Sequence, residues 1–229
     1  MSCILLCAQP LVLSYFGIPG PGEPVRMLLA MGNFEWENKD MAGSDGSWQA
    51  MKPKTKWGQC PVLENKDGVQ FSQSIAMARM FAKLITVGGT PLYPEDPLAA
   101  FAVDEYIDAL QDMRQKMSST FSIKDVDEKA AARKALMTGD GAMAVLWAKI
   151  EALTGEEFAV GSSLSLADIW VAFCVGMISS GFLDGFDASL LTPYPKMLAI
   201  AKKVYSIPEL KAYYTTRAAA KPMYKCFVV

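Results

Sequence analysis

The acid–base groups open to this chain are limited, because its 229 residues include no histidine. A serine–histidine–aspartate triad, a cysteine–histidine pair and a histidine-bearing zinc site are therefore excluded. Proton transfer or thiol activation would have to use tyrosine, lysine, cysteine or carboxylate side chains. Tyr15 is one candidate, since it lies near the end of an apolar run, just before a loop rich in glycine and proline. An isolated tyrosine at such a position is more often one that simply packs at the end of a strand.

Two short motifs mark the beginnings of helices. A helix that starts at Ser74 offers backbone N–H groups and the positive end of its dipole to an anion, although the segment 72–75 is also an ordinary cap. Between Ser165 and Asp168 the spacing predicts a capping box at the start of a later helix. We expect this second motif to be structural and not catalytic.

The sequence of residues 10–86 predicts a small mixed sheet with flanking helices, and this domain would position Tyr15 and Ser74. Apolar runs, alternation and turn residues give the elements of this domain. They are strands at Leu11–Phe16 and Phe34–Glu37, a helix from Pro24 to about Met31, a hairpin over residues 62–71 that turns at Gly68, and a helix from about Ser74 to Leu84. The order strand–helix–strand, then strand–strand–helix, is the thioredoxin arrangement.

The rest of the chain predicts an all-helical domain over residues 98–221. The segment Val87–Pro97 holds two glycines and three prolines and is the predicted linker. Apolar residues then recur at helical spacing in two long stretches. They are Val103, Tyr106, Ile107, Leu110, Met113 and Met117, followed by Met143, Leu146, Trp147, Ile150 and Leu153. Tyr194–Ser206 and Glu209–Arg217 are shorter amphipathic segments.

Composition narrows the partners and the compartment. The formal net charge of −2 gives no reason to expect a nucleic acid or an anionic membrane as partner. The most apolar stretch, Leu164–Met177, contains Asp168 and is too short to span a bilayer, so it predicts a buried helix. The five cysteines include no Cys-x-x-Cys pair and favour a reducing, cytoplasmic compartment. The first ten residues do not resemble a signal peptide, and no role is assigned to residues 1–9.

The opening of the first domain resembles one known protein family. Residues 13–30 read LSYFGIPGPGEPVRMLLA and are similar to the start of the soluble, cytosolic glutathione transferases of the tyrosine type, with the sigma class most similar. The resemblance continues in order along about Leu11–Ala220. It implies an α/β thioredoxin-like N-terminal domain that binds glutathione, and an all-α C-terminal domain that contributes the electrophile site. It also implies detoxification chemistry in which the glutathione thiol attacks hydrophobic electrophiles, with glutathione as co-substrate and no metal.

The resemblance places Tyr15 at the catalytic position, where its phenol hydrogen would stabilise the thiolate. The implied glutathione-binding residues are Trp48, Lys52, Gln59, Cys60, Pro61, Gln73, Ser74 and Asp112. Cys60-Pro61 matches a cis-proline segment whose backbone pairs with the peptide, although an ordinary trans proline could also open a strand there. Lys54 and Lys56 are rival cations to Lys52, and all three could form only a solvated cluster.

The resemblance also implies a homodimer in which Asp112 reaches the ammonium of glutathione bound to the partner. The alternative for Asp104, Asp108 and Asp112 is a solvated acidic stripe on one helix face. The electrophile pocket would be lined by Phe16, the loop after it, the helix around Met113–Met117 and the C-terminal tail.

One departure leaves the strength of thiol activation open. Pro19 and Pro21 stand where relatives commonly have arginines that polarise the tyrosine–thiolate pair or contact glutathione. Two other functions remain as alternatives: a glutathione-dependent isomerase or peroxidase, such as one that makes prostaglandins, and a non-enzymatic ligand-binding protein of the same fold. A thiol–disulfide oxidoreductase is disfavoured, because no Cys-x-x-Cys precedes the first helix.

Overall fold

The computed structural model describes residues 10–228, which divide into two compact units between Thr86 and Val87. The first unit contains β1 (Leu11–Phe16), α1 (Glu23–Met31), β2 (Trp36–Met41), α2 (Ser47–Met51), β3 (Val62–Asn65), β4 (Gln70–Ser72) and α3 (Ser74–Ala82). A short hairpin, β5 (Thr86–Val87) and β6 (Thr90–Pro91), precedes the helices. These are α4 (Pro97–Gln115), α5 (Val126–Leu136), α6 (Ala142–Leu153), α7 (Leu166–Ser179), α8 (Pro195–Tyr205) and α9 (Pro208–Ala220). Four 3-10 segments lie at Lys52–Lys54, Ser118–Ser122, Ala188–Leu191 and Pro222–Phe227.

The first unit is built around β1, the inner strand of a sheet with the order β2-β1-β3-β4. β1 runs parallel to β2 and antiparallel to β3, and β4 is antiparallel to β3. Leu11 and Leu13 are completely or almost completely buried, as expected for an inner strand that packs under helices. The predicted thioredoxin-like arrangement is confirmed.

The second strand is not where the sequence predicted it. We expected Phe34–Glu37, whereas β2 spans Trp36–Met41. Phe34 instead packs edge-on against Phe81, with 5.0 Å between their ring centroids. β2 lies at the edge of the sheet and exposes polar side chains, so its sequence carries no apolar run that would have marked it.

The segment predicted as a linker is folded. Gly88 and Gly89 have φ angles of 58° and 85°, which allow the two-residue turn between β5 and β6. Leu92 is completely buried, and its carbonyl oxygen accepts the N–H of Leu166 at 2.8 Å. This part of the chain is therefore attached to the start of α7.

In the second unit, α7 is the central helix, because every residue from 166 to 178 is buried. The buried helix predicted from Leu164–Met177 is therefore confirmed. The apolar spacing predicted for α4 and α6 is also borne out for most residues, whereas Leu153 is 80% exposed at the end of α6. α5 was not predicted, because five of its eleven residues are charged and four of the others are alanines, which leaves no stripe of large apolar side chains. None of the helices in residues 10–228 has both the length and the hydropathy needed to cross a membrane.

The predicted capping box is present, and it extends beyond the motif. The carboxylate of Asp168 accepts hydrogen bonds from the backbone N–H and the hydroxyl of Ser165, at 2.8 and 2.9 Å. It also accepts the backbone N–H of Ala159 at 2.7 Å, which ties the preceding loop to α7. Burial raises the pKa of Asp168, and these three hydrogen bonds act in the opposite direction by favouring its charged form.

We predict that Asp168→Ala lowers the free energy of unfolding by about 2–4 kcal/mol, because two buried N–H groups lose their acceptor. Asp125→Ala is the matched control: Asp125 is an exposed cap that accepts only the N–H of Glu128 at 2.9 Å. Its loss should cost about 0.5–2 kcal/mol. Denaturant midpoints measure both variants. Equal midpoints would show that the buried network adds nothing to an ordinary cap.

Candidate active site

Three chain segments meet at one end of the sheet in the first unit, because the strand register aligns the ends of β1, β3 and β4. Ser14 on β1 pairs with Val62 on β3, and Val62 pairs with Ser72 on β4. The next residue outward is Tyr15 on β1, and the neighbouring strands are flanked there by Pro61 and by Gln73. Neighbouring strands lie about 4.8 Å apart. The predicted catalytic tyrosine, the predicted cis-proline and the start of α3 are thus side by side.

Tyr15 is held in place by the glycine- and proline-rich loop that follows β1. Its side chain is only 4% exposed. A Cβ added to Gly20 would lie 2.5 Å from the hydroxyl of Tyr15, and a Cβ added to Gly22 would lie 2.5 Å from Cγ of its ring. The two glycines therefore allow the loop to pack directly on the phenol. The ring also contacts Phe16 edge-on, with 5.4 Å between centroids.

The peptide bond between Cys60 and Pro61 is cis, as the resemblance implied. The side-chain amide of Gln73 donates to the side-chain oxygen of Gln59 at 3.3 Å, which links this segment to the start of α3. Cys60 is half-buried, and burial raises the pKa of its thiol to about 11. Cys60 is therefore a neutral thiol at physiological pH and a poor nucleophile.

The beginning of α3 has the features of an anion site. Gln73 has a φ angle of 70° and a ψ angle of 101°, a conformation that a residue with a side chain rarely adopts. Such strained backbone is concentrated at functional sites. No side chain caps this end of α3, so its first N–H groups point outward with the positive end of the helix dipole. Ser74 adds a half-buried hydroxyl.

The three candidate lysines differ in their surroundings. Lys54 lines a separate cleft on the opposite face of the sheet, beside residues such as Val12 and Glu37. The ammonium of Lys56 lies 5.5 Å from the ring centroid of Trp57, an exposed side chain.

Lys52 lies near the residue that precedes the cis-proline segment. A Cβ on Gly58, one residue before Gln59, would be 4.0 Å from Cε of Lys52. Trp48 on α2 contacts Phe16, with 6.1 Å between ring centroids, and so stands next to the residue after Tyr15.

A buried charged cluster, which the sequence did not predict, lies directly behind Tyr15. Arg26 and Glu23 on α1 are both completely buried and form an ion pair at 3.0 Å. Arg26 also contacts Asp40 on β2 at 3.2 Å, and its guanidinium carbon lies 5.4 Å from the ring centroid of Tyr15. The signal in the sequence was a pair of opposite charges three residues apart in an otherwise apolar helix, EPVRMLLAM.

Comparison with known proteins agrees with this geometry. A family profile described as "Glutathione S-transferase, C-terminal domain" matches residues 111–217. Glutathione S-transferase 4 of Caenorhabditis elegans is 34% identical over 208 residues, which cover 90% of this chain and 95% of that protein. Among solved structures, prostaglandin synthase D of Nilaparvata lugens gives a TM-score of 0.77 at 26% identity, covering 91% of this chain and 98% of the other. A monomeric glutathione S-transferase of the hookworm Necator americanus gives 0.71 at 25% identity, covering 90% and 97%.

This chain belongs to the glutathione S-transferase family. The family resemblance inferred from residues 13–30 and the fold class are therefore confirmed. Assignment to the sigma class and the roles of individual site residues stay predictions. Within residues 10–228, no three histidine, cysteine, aspartate or glutamate side chains come together in a group that could hold a metal ion.

Three further residues that the resemblance predicts for the site lie in the second unit: Asp112 and Met113 on α4, and Met117 just after that helix ends. Asp112 is exposed. Asp104 differs from it, because it accepts the hydroxyl of Tyr93 at 2.8 Å and so is not merely part of a solvated stripe. Met113 and Met117 are only 0% and 3% exposed, and their role in the electrophile pocket stays a prediction.

The C-terminal tail, also expected to line the electrophile pocket, is packed into the helical unit. Tyr224 and Phe227 are completely buried, and Phe227 stacks on Tyr214 with 4.7 Å between centroids. Of the three individually named pocket residues, Phe16, Met113 and Met117, only Phe16 is partly exposed, and it lies beside Tyr15.

We predict that Gly22→Ala lowers turnover by roughly tenfold or more, because the new methyl group must displace the ring of Tyr15. Gly22 has φ −77° and ψ −16°, which alanine adopts without strain, so the effect would be steric. Gly43→Ala is the control, since nothing lies within 4 Å of a Cβ at that position. Steady-state kinetics and denaturant midpoints would be compared. Parent-like turnover of Gly22→Ala would contradict the close packing around Tyr15.

Proposed function

We propose that this chain works as a glutathione transferase in which Tyr15 activates the thiol of glutathione for attack on hydrophobic electrophiles. One observation carries the proposal: the end of β1, the cis-proline segment and the uncapped start of α3 are aligned at one edge of the sheet. A phenol, an open peptide backbone and an anion site are the three groups needed to hold and activate a small thiol peptide with a free carboxylate.

Activation of the thiol is within reach of a single phenol. A free thiol has a pKa of about 8.5, so only a few per cent is ionised at neutral pH. Lowering that pKa by about two units requires roughly 2.7 kcal/mol. A charge-assisted hydrogen bond from the Tyr15 hydroxyl to the sulfur, worth about 1.5–3 kcal/mol, supplies most of it. The thiolate then bonds to the electrophilic carbon and the leaving group departs with the bonding electrons.

The rest of the peptide has matching partners in the first unit. The backbone N–H and C=O of Cys60 pair with the cysteinyl unit as an added strand would. Gln73, Ser74 and the N–H groups of α3 bind the γ-glutamyl carboxylate. Lys52 supplies a charge for the glycine carboxylate, and Trp48 supplies an indole donor and an apolar wall. Because Cys60 is protonated, it does not compete with glutathione as the nucleophile.

We assign this activity to the cytoplasm. The three cysteines in the described part of the chain, Cys60, Cys174 and Cys226, are free thiols. Free thiols are typical of a reducing compartment, where glutathione is also abundant in its reduced form. The role that follows there is detoxification of hydrophobic electrophiles.

A glutathione-dependent isomerase is the second candidate, because the chain resembles the structure of a prostaglandin synthase D. Such a reaction uses the same thiolate and returns glutathione unchanged. Turnover of a chloronitrobenzene, against conversion of a prostaglandin endoperoxide with no loss of glutathione, separates the two activities. Binding to immobilised glutathione without either turnover would indicate a ligand-binding protein.

We predict that Tyr15→Phe lowers the rate of conjugation by roughly ten- to a hundredfold, about 1.4–2.7 kcal/mol of transition-state stabilisation, with the fold and glutathione affinity retained. The thiolate absorbance of bound glutathione should then appear at higher pH. Tyr93→Phe is the control, because it also removes one tyrosine hydroxyl, but from a hydrogen bond to Asp104 in the other unit. If Tyr15→Phe turns over like the parent, Tyr15 does not activate the thiol.

We also propose that the active form is a homodimer, with Asp112 of one chain reaching the glutathione of the other. Ser74 and the start of α3 offer only hydrogen-bond donors, so the ammonium of the γ-glutamyl unit needs an acceptor from elsewhere. Asp112 is an exposed carboxylate and gives the strongest type of hydrogen bond for that purpose. A twofold dimer would complete both sites by symmetry. One solved relative is monomeric, so assembly has to be measured for this chain.

We predict that Asp112→Asn raises the Michaelis constant for glutathione by roughly five- to thirtyfold, about 1–2 kcal/mol, with a smaller effect on turnover. Asp108→Asn, one helical turn away on α4, should leave it unchanged. Exchange of subunits between Tyr15→Phe and Asp112→Asn dimers should produce some dimers with one intact site. A monomer at assay concentration, or demonstrated exchange with no recovery of affinity, would contradict the proposal.

A further inference from the structure

We propose that Arg26 is a positioning residue for Tyr15, and that Asp40 limits how strongly the Arg26 charge favours the thiolate of bound glutathione. This inference rests on the proposed function, because it assumes that Tyr15 activates the thiol. Under this proposal, the positive charge near Tyr15 comes from Arg26, which lies in the core of the first unit. The loop holds Pro19 and Pro21 at the places where relatives commonly carry arginines.

Arg26 has an acceptor for every N–H of its guanidinium group. Its Nε donates to Asn38 at 2.6 Å, one Nη donates to Glu23 and to the carbonyl of Ile18, both at 3.0 Å, and the other donates to the carbonyl of Phe16 at 2.8 Å and to Asp40 at 3.2 Å. A guanidinium has five N–H donors, and these five bonds use all of them. The side chain is completely buried, so its place and orientation are fixed.

Two of those bonds act on the backbone that holds Tyr15. The carbonyl groups of Phe16 and Ile18 belong to the end of β1 and the first turn of the loop, immediately after Tyr15. Arg26 thereby fixes the direction in which the chain leaves the sheet at the site. Its guanidinium carbon also lies 5.4 Å from the ring centroid of Tyr15, within the range of a cation–π interaction. A cation at a phenol ring makes its hydroxyl a stronger hydrogen-bond donor.

The influence of Arg26 depends on its counter-charges, which are two carboxylates of different exposure. Glu23 is completely buried at 3.0 Å, whereas the side chain of Asp40 is 26% exposed and lies at 3.2 Å. In the parallel pairing of β1 and β2, Asp40 stands opposite Tyr15. With both carboxylates ionised, their negative charges offset the positive charge of Arg26 at the phenol ring, so the Tyr15 hydroxyl is a weaker donor to the thiolate than Arg26 alone would make it. Removal of one charge should make thiolate formation easier.

The most direct test is Asp40→Asn. Asparagine keeps an oxygen that can accept from Arg26 and Asn38, and it removes only the charge. We expect the thiol of bound glutathione to ionise about half a unit to one unit lower in pH, as read from thiolate absorbance and from the pH profile of kcat/KM. The Michaelis constant for glutathione at saturating electrophile should stay within about twofold. A purely structural Asp40 would give no downward shift.

Glu37→Gln is the matched control, because it removes one carboxylate from the same strand. Glu37 lies on the opposite face of the sheet, where it lines a cleft with Lys39 and Lys54. Both variants change the net charge of the protein by the same amount. The thiol should titrate in Glu37→Gln as in the parent. An equal downward shift in both variants would overturn the proposal, because it would be an effect of overall charge.

Variants of Arg26 itself should shift ionisation of the bound thiol in the opposite direction, to higher pH. Arg26→Met should raise the pH at which the bound thiol ionises by about one pH unit. Arg26→Lys should reverse part of that increase, because lysine restores the charge but not the planar set of five N–H donors. If Arg26→Met does not fold, the sign of the shift in Asp40→Asn decides the matter alone. No shift, or a shift to higher pH, in a folded Asp40→Asn overturns the assignment.

Failure of this inference can be told apart from failure of the proposed function. If Tyr15→Phe raises the ionisation pH of the thiol while Asp40→Asn leaves it unchanged, Tyr15 acts on the thiol and the cluster does not tune it. If Tyr15→Phe has no effect, the proposed function fails first. When Tyr15→Phe and Asp40→Asn are combined in one protein, the shift caused by Asp40→Asn should be largely lost, because Asp40 acts on the thiol through the phenol of Tyr15. Persistence of the full shift there would contradict action through Tyr15.

Discussion

The register of β1 between its two neighbours is the constraint on which the site depends. Side chains alternate between the faces of a sheet, so a slip of one residue would turn Tyr15 away from α1 and bring Ser14 to its place. The pairing of Ser14 with Val62 prevents this and also aligns β1 with the cis-proline segment. Apolar burial enforces the register, since Leu11 and Leu13 reach the core only in this pairing. The core of the first unit and the geometry of its site are therefore set by the same interactions.

Each unit also contains a buried carboxylate, Glu23 in the first and Asp168 in the second, and the two are stabilised in different ways. Asp168 is surrounded by hydrogen-bond donors that carry no full charge, and its pKa is raised by burial. Glu23 is instead paired with Arg26, so the charge is balanced by a cation. Removing either partner of such a pair is expensive, about 3–5 kcal/mol, although the pair itself adds little net stability. The first arrangement fixes a loop on a helix, and the second brings a permanent cation to the back of the site.

How far the sequence could predict the molecule depended on whether a feature is local. The capping box at Asp168 and the start of α3 at Ser74 are set by a few consecutive residues, and both were found. The cluster around Arg26 was missed because Arg26 is on a helix and Asp40 lies fourteen residues later, on a strand. β2 was misplaced for a related reason: an edge strand carries polar residues, and only its partner defines it. Exposed Leu153 shows that helical spacing alone does not establish burial.

In the proposed mechanism, the positive charge near Tyr15 comes from the buried Arg26, and the loop after β1 contributes Pro19 and Pro21. An arginine in an exposed loop is mobile and its field is screened by salt over about 8–10 Å. A buried guanidinium whose five donors are all engaged cannot reorient, so its field is present before any ligand arrives. The prolines and glycines of the loop fit this arrangement, because Gly20 and Gly22 let the chain close directly over Tyr15, where a larger side chain would push the phenol aside. Under that proposal, a cation fixed 5.4 Å from the ring centroid of Tyr15 does the work that a flexible loop arginine could do only after moving towards the thiolate.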